Sequence, residues 1–569
     1  MRSRYKHLSI PHTPEHDQTK ERATSSPAMD SMESEETYIA SLDIGTTTIR
    51  CFIYAINRDI AKLEVIGSAF AQVELVYPSP GQVEIVPSKL WESVIETIDN
   101  AFRNAKLTAN RITCLSISTQ RNTFTCWNRH TGKVYHNFIT WKDLRADSLV
   151  QNLNKSIRLR MINLGARFLH FFTRSKRFLA GSVIKMMNPQ VTLRLVWLIQ
   201  NNAELQNDIK NGKVLYGTVD SRLLYRLRQG TDRTRSVEHI SDVTNCSSTG
   251  FYDPFSQQWS GWALNWLSIK TQILPKVVHN SYDFGFVHES LFGSPIKIGA
   301  SISDQSASLW GNCCFEQGDV KITMGTGSFL NVCTGPTCLA SVHGLYPLVG
   351  YKIETAQGQE MVYLMEGASN DNGSIIEWAK SVGLLSNPEE SSDMARSVPD
   401  SDGVSFIPAF SGLGPPIRDD TAGTGFIGIK ASTRKEHMVR ALLESLVYRV
   451  ALLYVCALKE TGFAFTRIKV DGGVSRNNFI CQTLADITGL PVERGEFADS
   501  SALGAMFLAG INVGIWHSKQ ELIDIRKVER IFEPNATNKN NCLRSMWRWE
   551  RAVERFKRWY TEDEPIDLS

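Results

Sequence analysis

Tyr38-Ile39-Ala40-Ser41-Leu42-Asp43-Ile44-Gly45-Thr46-Thr47-Thr48-Ile49-Arg50-Cys51-Phe52-Ile53-Tyr54-Ala55-Ile56 reads as strand, turn, strand. The same composition returns from Val320 to Val332, where Met324-Gly325-Thr326-Gly327-Ser328 separates two short β-rich runs. In the first turn, Gly45 lets the backbone approach a ligand, and Thr46, Thr47 and Thr48 bring three hydroxyls beside exposed N–H groups. Convergent donors of this kind suit a phosphate. Arg50 adds a fixed positive charge. Asp43, at the strand end, can hold Mg2+ through water, because Mg2+ favours one carboxylate plus retained waters. A Gly-Thr turn also serves an ordinary hairpin. Two such turns in two halves of one chain suggest two arms closing on one polyphosphate, with Thr326 in the second arm.

Between the arms lies Ser303-Asp304-Gln305-Ser306-Ala307. A carboxylate at a domain junction can take the proton from a hydroxyl that attacks phosphorus, with Gln305 bonding a second hydroxyl. An Asp that caps the following helix fits the same residues. A third element is Asp471-Gly472-Gly473-Val474-Ser475-Arg476-Asn477. Two glycines after a strand let a flat ring lie against bare backbone, and Asn477 can bond an adenine or ribose edge. A tight strand-to-helix turn has the same composition.

The surrounding pattern alternates strands and helices. Ser88 is placed to cap a helix with apolar positions at Leu90, Val94, Ile98, Phe102 and Ala105. Thr433-x-x-Glu436 reads as a capping box before a long helix that runs to Lys459 and stops near Gly462. Cys114–Ser118 and Arg467–Val470 read as strands, and Asn477–Thr488 and Ser501–Val513 as helices. This mixture indicates an α/β fold. The 569 residues exceed one core, so two large domains are expected.

Apolar residues make up 42% and charged residues 21%, ordinary for a globular protein. A net charge of +3 gives no reason to expect nucleic acid as a partner. No apolar stretch approaches the roughly 20 residues that span a bilayer, so no transmembrane segment is expected. Met1 to Glu36 is polar and is expected to be disordered. Its acids and its lack of an apolar centre argue against transit and secretory signals. The 11 cysteines show no pairing framework, which suggests reduced thiols and a cytoplasmic location. Cys313, Cys314, Cys333 and Cys338 read as buried small apolar side chains, since no second Cys-x-x-Cys or His pair completes a zinc set.

Six motifs stand in one order: Asp43-x-Gly-Thr-Thr-x-x-Arg50, Gln120-Arg121, Asp304-Gln305, Met324-Gly-Thr-Gly327, Phe410 to Pro416, and Asp471-Gly-Gly-x-x-x-Asn477. The set resembles the FGGY carbohydrate kinases, and within them the glycerol kinases, from about Tyr38 to Trp516. The resemblance implies a two-domain actin-like (ribonuclease H-like) fold with ATP in the interdomain cleft. With the polar composition of 1–36 and the helical spacing near the C-terminus, it sets the expected division: a disordered segment 1–36, an N-terminal domain 37–302 with the substrate and first phosphate loop, a nucleotide-binding domain 303–535, and a C-terminal amphipathic helix 536–569. It implies ATP and Mg2+ as cofactors, Asp304 as general base, and Thr46, Thr47, Thr48, Arg50, Thr326, Gly373, Gly473 and Asn477 on ATP. Arg121, Asn122, Trp141, Asp304, Gln305 and Phe329 would line a glycerol pocket.

Four positions depart from the family pattern: Ile44 replaces Gln, Asn122 replaces Glu, Glu377 replaces Gln, and no tyrosine stands in Gln190–Val196. Three activities therefore stay open: a glycerol kinase, a kinase of another polyol or a pentulose, and a nucleotide-binding regulator with little turnover. Association between copies of the chain is also open. Two segments stand apart. Arg158 to Met187 is basic and apolar; it is expected to be a domain helix with its basic face in water, and a membrane-surface helix is the alternative. Met546, Trp549, Val553, Phe556 and Tyr560 repeat at helical spacing and are expected to dock on the second domain.

Overall fold

A computed structural model describes residues 36–58, 62–355 and 358–560; the expectation for 1–36 lies, apart from Glu36, outside the described residues. Two mixed sheets carry the fold. The first comprises β1 (Thr37–Ile44), β2 (Thr48–Asn57), β3 (Lys62–Gln72), β4 (Cys114–Thr119), β5 (Phe286–Val287) and β6 (Ile296–Ser303), in the order β5-β6-β4-β1-β2-β3. The second comprises β7 (Val320–Met324), β8 (Ser328–Gly335), β9 (Tyr346–Thr355), β10 (Gly358–Ser369), β11 (Ile468–Asp471), β12 (Val492–Gly495) and β13 (Val528–Phe532), in the order β9-β10-β8-β7-β11-β12-β13.

The two share one wiring. β1 pairs antiparallel with β2 and parallel with β4, and β4 runs parallel to β6. β7 pairs antiparallel with β8 and parallel with β11, and β11 runs parallel to β12. Each sheet thus begins with a hairpin whose turn is one of the two Gly-Thr stretches. The strands β1, β4 and β6 are almost wholly buried on both faces, as parallel strands covered by helices must be.

The helices used below are α1 (Pro87–Ala105), α2 (Ile157–Thr173), α3 (Asp304–Gly311), α4 (Gly373–Ser381), α5 (Lys435–Thr461), α6 (Asn478–Thr488), α7 (Ser500–Asn512) and α8 (Ala536–Phe556). α3 follows the last parallel strand of the first sheet and α7 that of the second. They cross at glycines. A Cβ on Gly504 would stand 1.7 Å from the Ala307 carbonyl oxygen, and one on Gly311 would stand 2.1 Å from that of Ser500. Glycine is what lets the two backbones touch.

α5 is long and apolar enough to cross a membrane, but 89% of its apolar window is buried inside the protein, which makes it the central helix of the second domain. α8 docks there as expected, but it ends at Phe556, and Tyr560 lies beyond its end and is exposed. Met546, Trp549, Ala552 and Val553 are buried, and the Trp549 indole N–H donates to the Phe406 carbonyl at 2.7 Å. No disulfide joins any cysteines of the described residues; Cys313, Cys314 and Cys333 are buried and Cys338 half-buried, as expected for small apolar side chains.

Two capping expectations are corrected. α1 begins at Pro87, whose fixed φ suits the first helical position, so Ser88 already lies inside the helix and the N-cap Val86 has no polar side chain to cap with. α5 begins after Arg434, whose N–H is accepted by the His437 ring; the Thr433 hydroxyl turns back to accept from the Lys430 N–H. The end at Gly462 is as expected, in the left-handed conformation with φ of 66°.

Candidate active site

A cleft of about 3030 Å³ lies between the two sheets. It collects every residue singled out from the sequence: both Gly-Thr turns, Asp43, Arg50, Arg121, Asn122, Trp141, Asp304, Gln305, Phe329, Gly373, Gly473 and Asn477 all line it. Residues more than 400 positions apart therefore face one volume, because each sheet ends its strands toward the other.

Asp304 opens α3 at the end of β6. Ser303 is the N-cap, so Asp304 is not the capping residue; it accepts only the N–H of Gln305, at 2.7 Å. Its other partner is the Arg121 Nε at 3.5 Å. Burial pushes the Asp304 carboxyl above its ordinary range, and Arg121 opposes this. A raised carboxyl that still touches the cleft suits a general base.

Arg121 is held by a residue that the motifs do not contain. Glu366, on β10, is fully buried and accepts from Arg121 at 2.7 Å, from the Tyr346 hydroxyl at 2.6 Å and from the Asn331 amide at 2.7 Å. Burial acts to raise its pKa, but Arg121 and these donors bring it below the ordinary value, so it is a carboxylate. Arg121 also lies over the Phe329 ring at 5.8 Å. A second missed residue is Lys321, fully buried, which donates to the Gln305 side-chain oxygen at 2.8 Å and to Thr323 at 2.7 Å. The amide N–H groups of Gln305 are left free for the cleft. The available signal was an acid and a lysine inside largely apolar strands, which rarely occur without partners.

Glu366→Gln is expected to loosen Arg121 toward Asp304 and to remove a negative charge that raises the Asp304 pKa. If Asp304 serves as the general base, the acid limb of the kcat–pH profile moves to lower pH and kcat at its plateau falls by on the order of tenfold. An unmoved profile would make Glu366 purely structural.

The first turn is tied across the cleft mouth. The Trp141 indole N–H donates to the Thr46 hydroxyl at 2.9 Å, and the Gly45 N–H to the Thr48 carbonyl at 2.9 Å. Thr47 is exposed. Arg50 is paired with Asp499, the residue before α7. Asp43 is buried with its Oδ1 unpartnered, and burial raises its pKa to about 6, with the charge of Asp304 adding to this. Asn122 has φ of 63°, a conformation that Asn tolerates better than most residues. Its side-chain oxygen accepts from the Ser248 hydroxyl at 3.0 Å. No tyrosine stands in the 190–196 segment; Gln190 and Thr192 line the cleft there, and Tyr346 enters from β9.

On the other wall, the second turn is braced by two glycines. The Gly373 N–H donates to the Gly325 carbonyl at 3.0 Å, and a Cβ on Gly472 would stand 2.5 Å from the Met324 carbonyl. Asp471 accepts from Ser308 and from Asn312. Asn477 caps α6: its oxygen accepts from the Phe479 and Ile480 N–H groups, and its amide donates to Ser391. That leaves one amide hydrogen for a ligand. Gly473 is exposed, and a Cβ there meets nothing within 4 Å, so the surface beside it is bare.

Comparison with known proteins agrees with this geometry. Residues 38–311 match the N-terminal domain of the FGGY family of carbohydrate kinases, and residues 320–513 match its C-terminal domain. The chain is 42% identical over 532 residues to glycerol kinase 5 of Danio rerio, covering 93% of this chain and 98% of that one. It is 32% identical over 533 residues to glycerol kinase of Halobacterium salinarum, covering 93% and 100%. The crystal structure of Plasmodium falciparum glycerol kinase with ADP superimposes with a TM-score of 0.78 at 26% identity, covering 92% and 98%. Two matching sheets, two Gly-Thr arms and a buried carboxylate between them thus place this chain in the FGGY family of carbohydrate kinases.

Proposed function

We propose that the protein transfers the γ-phosphoryl group of ATP to glycerol, giving sn-glycerol 3-phosphate and ADP. The observation that carries this is Asp304: an accessible carboxylate of raised pKa, beside Arg121, between two Gly-Thr turns. Its relatives named glycerol kinase cover nearly the whole chain. A primary hydroxyl of glycerol attacks the γ-phosphorus, Asp304 takes its proton, and the bond to the β-bridging oxygen breaks as ADP leaves. Thr46, Thr47, Thr48 and Thr326, with the backbone of both turns, hold the phosphates. Gly473 offers bare backbone to the base or ribose, with Gly373 beside the second turn. Arg121, Trp141, Gln305, Asn122 and Phe329 hold the polyol by hydrogen bonds and by packing on its carbon edge.

The unpartnered Oδ1 of Asp43 fits Mg2+, which takes one carboxylate and waters. When bound, the ion draws negative charge from the phosphate oxygens. Asp43 needs to be ionised for this, and a positive ion lowers its raised pKa.

Asn122→Glu tests the polyol wall. A carboxylate keeps the Ser248 bond and offers a second oxygen to a glycerol hydroxyl, and bonds to a charged acceptor are worth about 1 kcal/mol more than neutral ones. Steady-state kinetics should give a glycerol KM several-fold lower with the ATP KM unchanged. Melting should occur at slightly lower temperature, since Glu is less at ease than Asn at positive φ. Loss of glycerol use in this variant, or a wild-type preference for another polyol or a pentulose, would show a pocket built for a different acceptor.

Gly473→Val tests the nucleotide wall. A Cβ there meets nothing within 4 Å, and the branched side chain projects toward the cleft. The KM for ATP is expected to rise by roughly tenfold or more, with the melting temperature and the glycerol KM little changed. An unchanged ATP KM would remove Gly473 from the nucleotide site.

A further inference from the structure

α2 contradicts the expectation that its apolar side faces the protein. Its packed side is narrow: Leu159 is buried, and the Asn163 amide donates to the Ile184 carbonyl at 3.1 Å. The opposite side is apolar and bare. Ile157, Met161, Leu164, Phe168, Phe171 and Phe172 are 75%, 60%, 58%, 63%, 64% and 66% exposed. Their spacing of four, three, four, three and one places them on one stripe along the helix. The three phenylalanines form an edge-to-face cluster, with Phe168 and Phe171 each about 5 Å from Phe172.

Cations flank the stripe. Arg158 lies on one side of it, and Arg160 and Arg167 on the other; all are exposed. Arg174 lies over the Phe171 ring at 5.6 Å, and Lys176 follows. No Asp or Glu occurs anywhere between Asp147 and Glu204. A charged, one-signed border around an exposed aromatic stripe is what an interfacial helix needs: the apolar side enters the acyl boundary while the cations meet headgroup phosphates.

We propose that α2 lies along an anionic lipid surface and holds this kinase there. Charge decides the occupant. A second copy would set the same cations against one another, and a neutral bilayer would leave them without counter-charge. The stripe runs the length of the helix, an extended apolar surface that matches a flat one.

The test is co-sedimentation of the full chain with vesicles of phosphatidylcholine alone and of about three parts phosphatidylcholine to one part phosphatidylserine. The protein is expected to sediment with the anionic vesicles only, and less so at high salt. The double variant F168S/F172S is expected to bind at least tenfold more weakly. R160E/R167E is expected to lose on the order of tenfold or more on the anionic vesicles. All these side chains are exposed and none touches the active site, so turnover of glycerol in solution stays at the wild-type level in every variant. The emission difference between F172W and the wild type, which isolates the added tryptophan, should shift to the blue when anionic vesicles are added. The proposal is overturned by no sedimentation with either vesicle, by equal binding to both, by full binding of the phenylalanine variant, or by a blue shift that follows protein concentration without vesicles and marks self-association.

Discussion

Asp304→Asn is expected to lower kcat by about 10²–10⁴-fold while leaving ATP affinity nearly intact. Asparagine keeps the shape and can still accept the Gln305 N–H, so α3 begins as before. What it loses is the ability to take a proton. It also leaves the Arg121 charge to Glu366 alone, which already binds it at 2.7 Å, so the polyol wall stays ordered. In the wild type the base must be ionised. Burial raises the Asp304 pKa, so kcat is expected to fall on the acid side at a higher pH than for an ordinary carboxyl. Single-turnover and steady-state rates across pH check both points. A variant that retains most of the wild-type kcat would remove Asp304 from the chemistry.

Gly504→Ala is expected to be the most damaging change outside the cleft. Its Cβ would stand 1.7 Å from the Ala307 carbonyl oxygen and 2.4 Å from the Gly311 nitrogen, both backbone atoms that no rotamer change can move. The two helices must separate, at a cost of about 3 kcal/mol or more, and the melting temperature should fall by about 5 °C or more. Ala307 lies one turn from Asp304 on α3, so the displacement reaches the base. A misplacement on the order of 1 Å costs roughly a hundredfold in rate. Gly165→Ala, where nothing stands within 4 Å, is the control: kcat should not change, and the melting temperature should hold or rise slightly because Ala is the better helix former. Wild-type stability and kcat in Gly504→Ala would show that the helices have room the structure does not display.

The sequence carried the frame of this site because the frame is local. A Gly-Thr turn between β-rich runs, a carboxylate after a strand, and paired glycines before a helix are each specified within a few residues, and all three appear at strand ends facing one cleft. What it did not carry are the pairings that depend on long separations. Glu366 lies 245 positions from Arg121, and Asp499 lies 449 from Arg50, so no periodicity links them. The partner of Arg50 matters for function, since part of its charge is already answered by Asp499. Caps failed for a different reason: Ser88 and Thr433 are each within one or two residues of a true helix start, and the competition is decided by Pro87 and by the His437 ring. That α2 is basic and apolar was legible in composition, but composition does not say which side of a helix the protein covers.

The most direct test is the rate of ADP and sn-glycerol 3-phosphate formation by the purified chain with ATP, Mg2+ and a panel of acceptors that includes glycerol, other polyols and pentuloses. The account predicts turnover with glycerol well above that with every other acceptor and with water, in equal amounts of the two products, and its loss in Asp304→Asn. Turnover no faster than with water, or a higher kcat/KM for a pentulose than for glycerol, would contradict it.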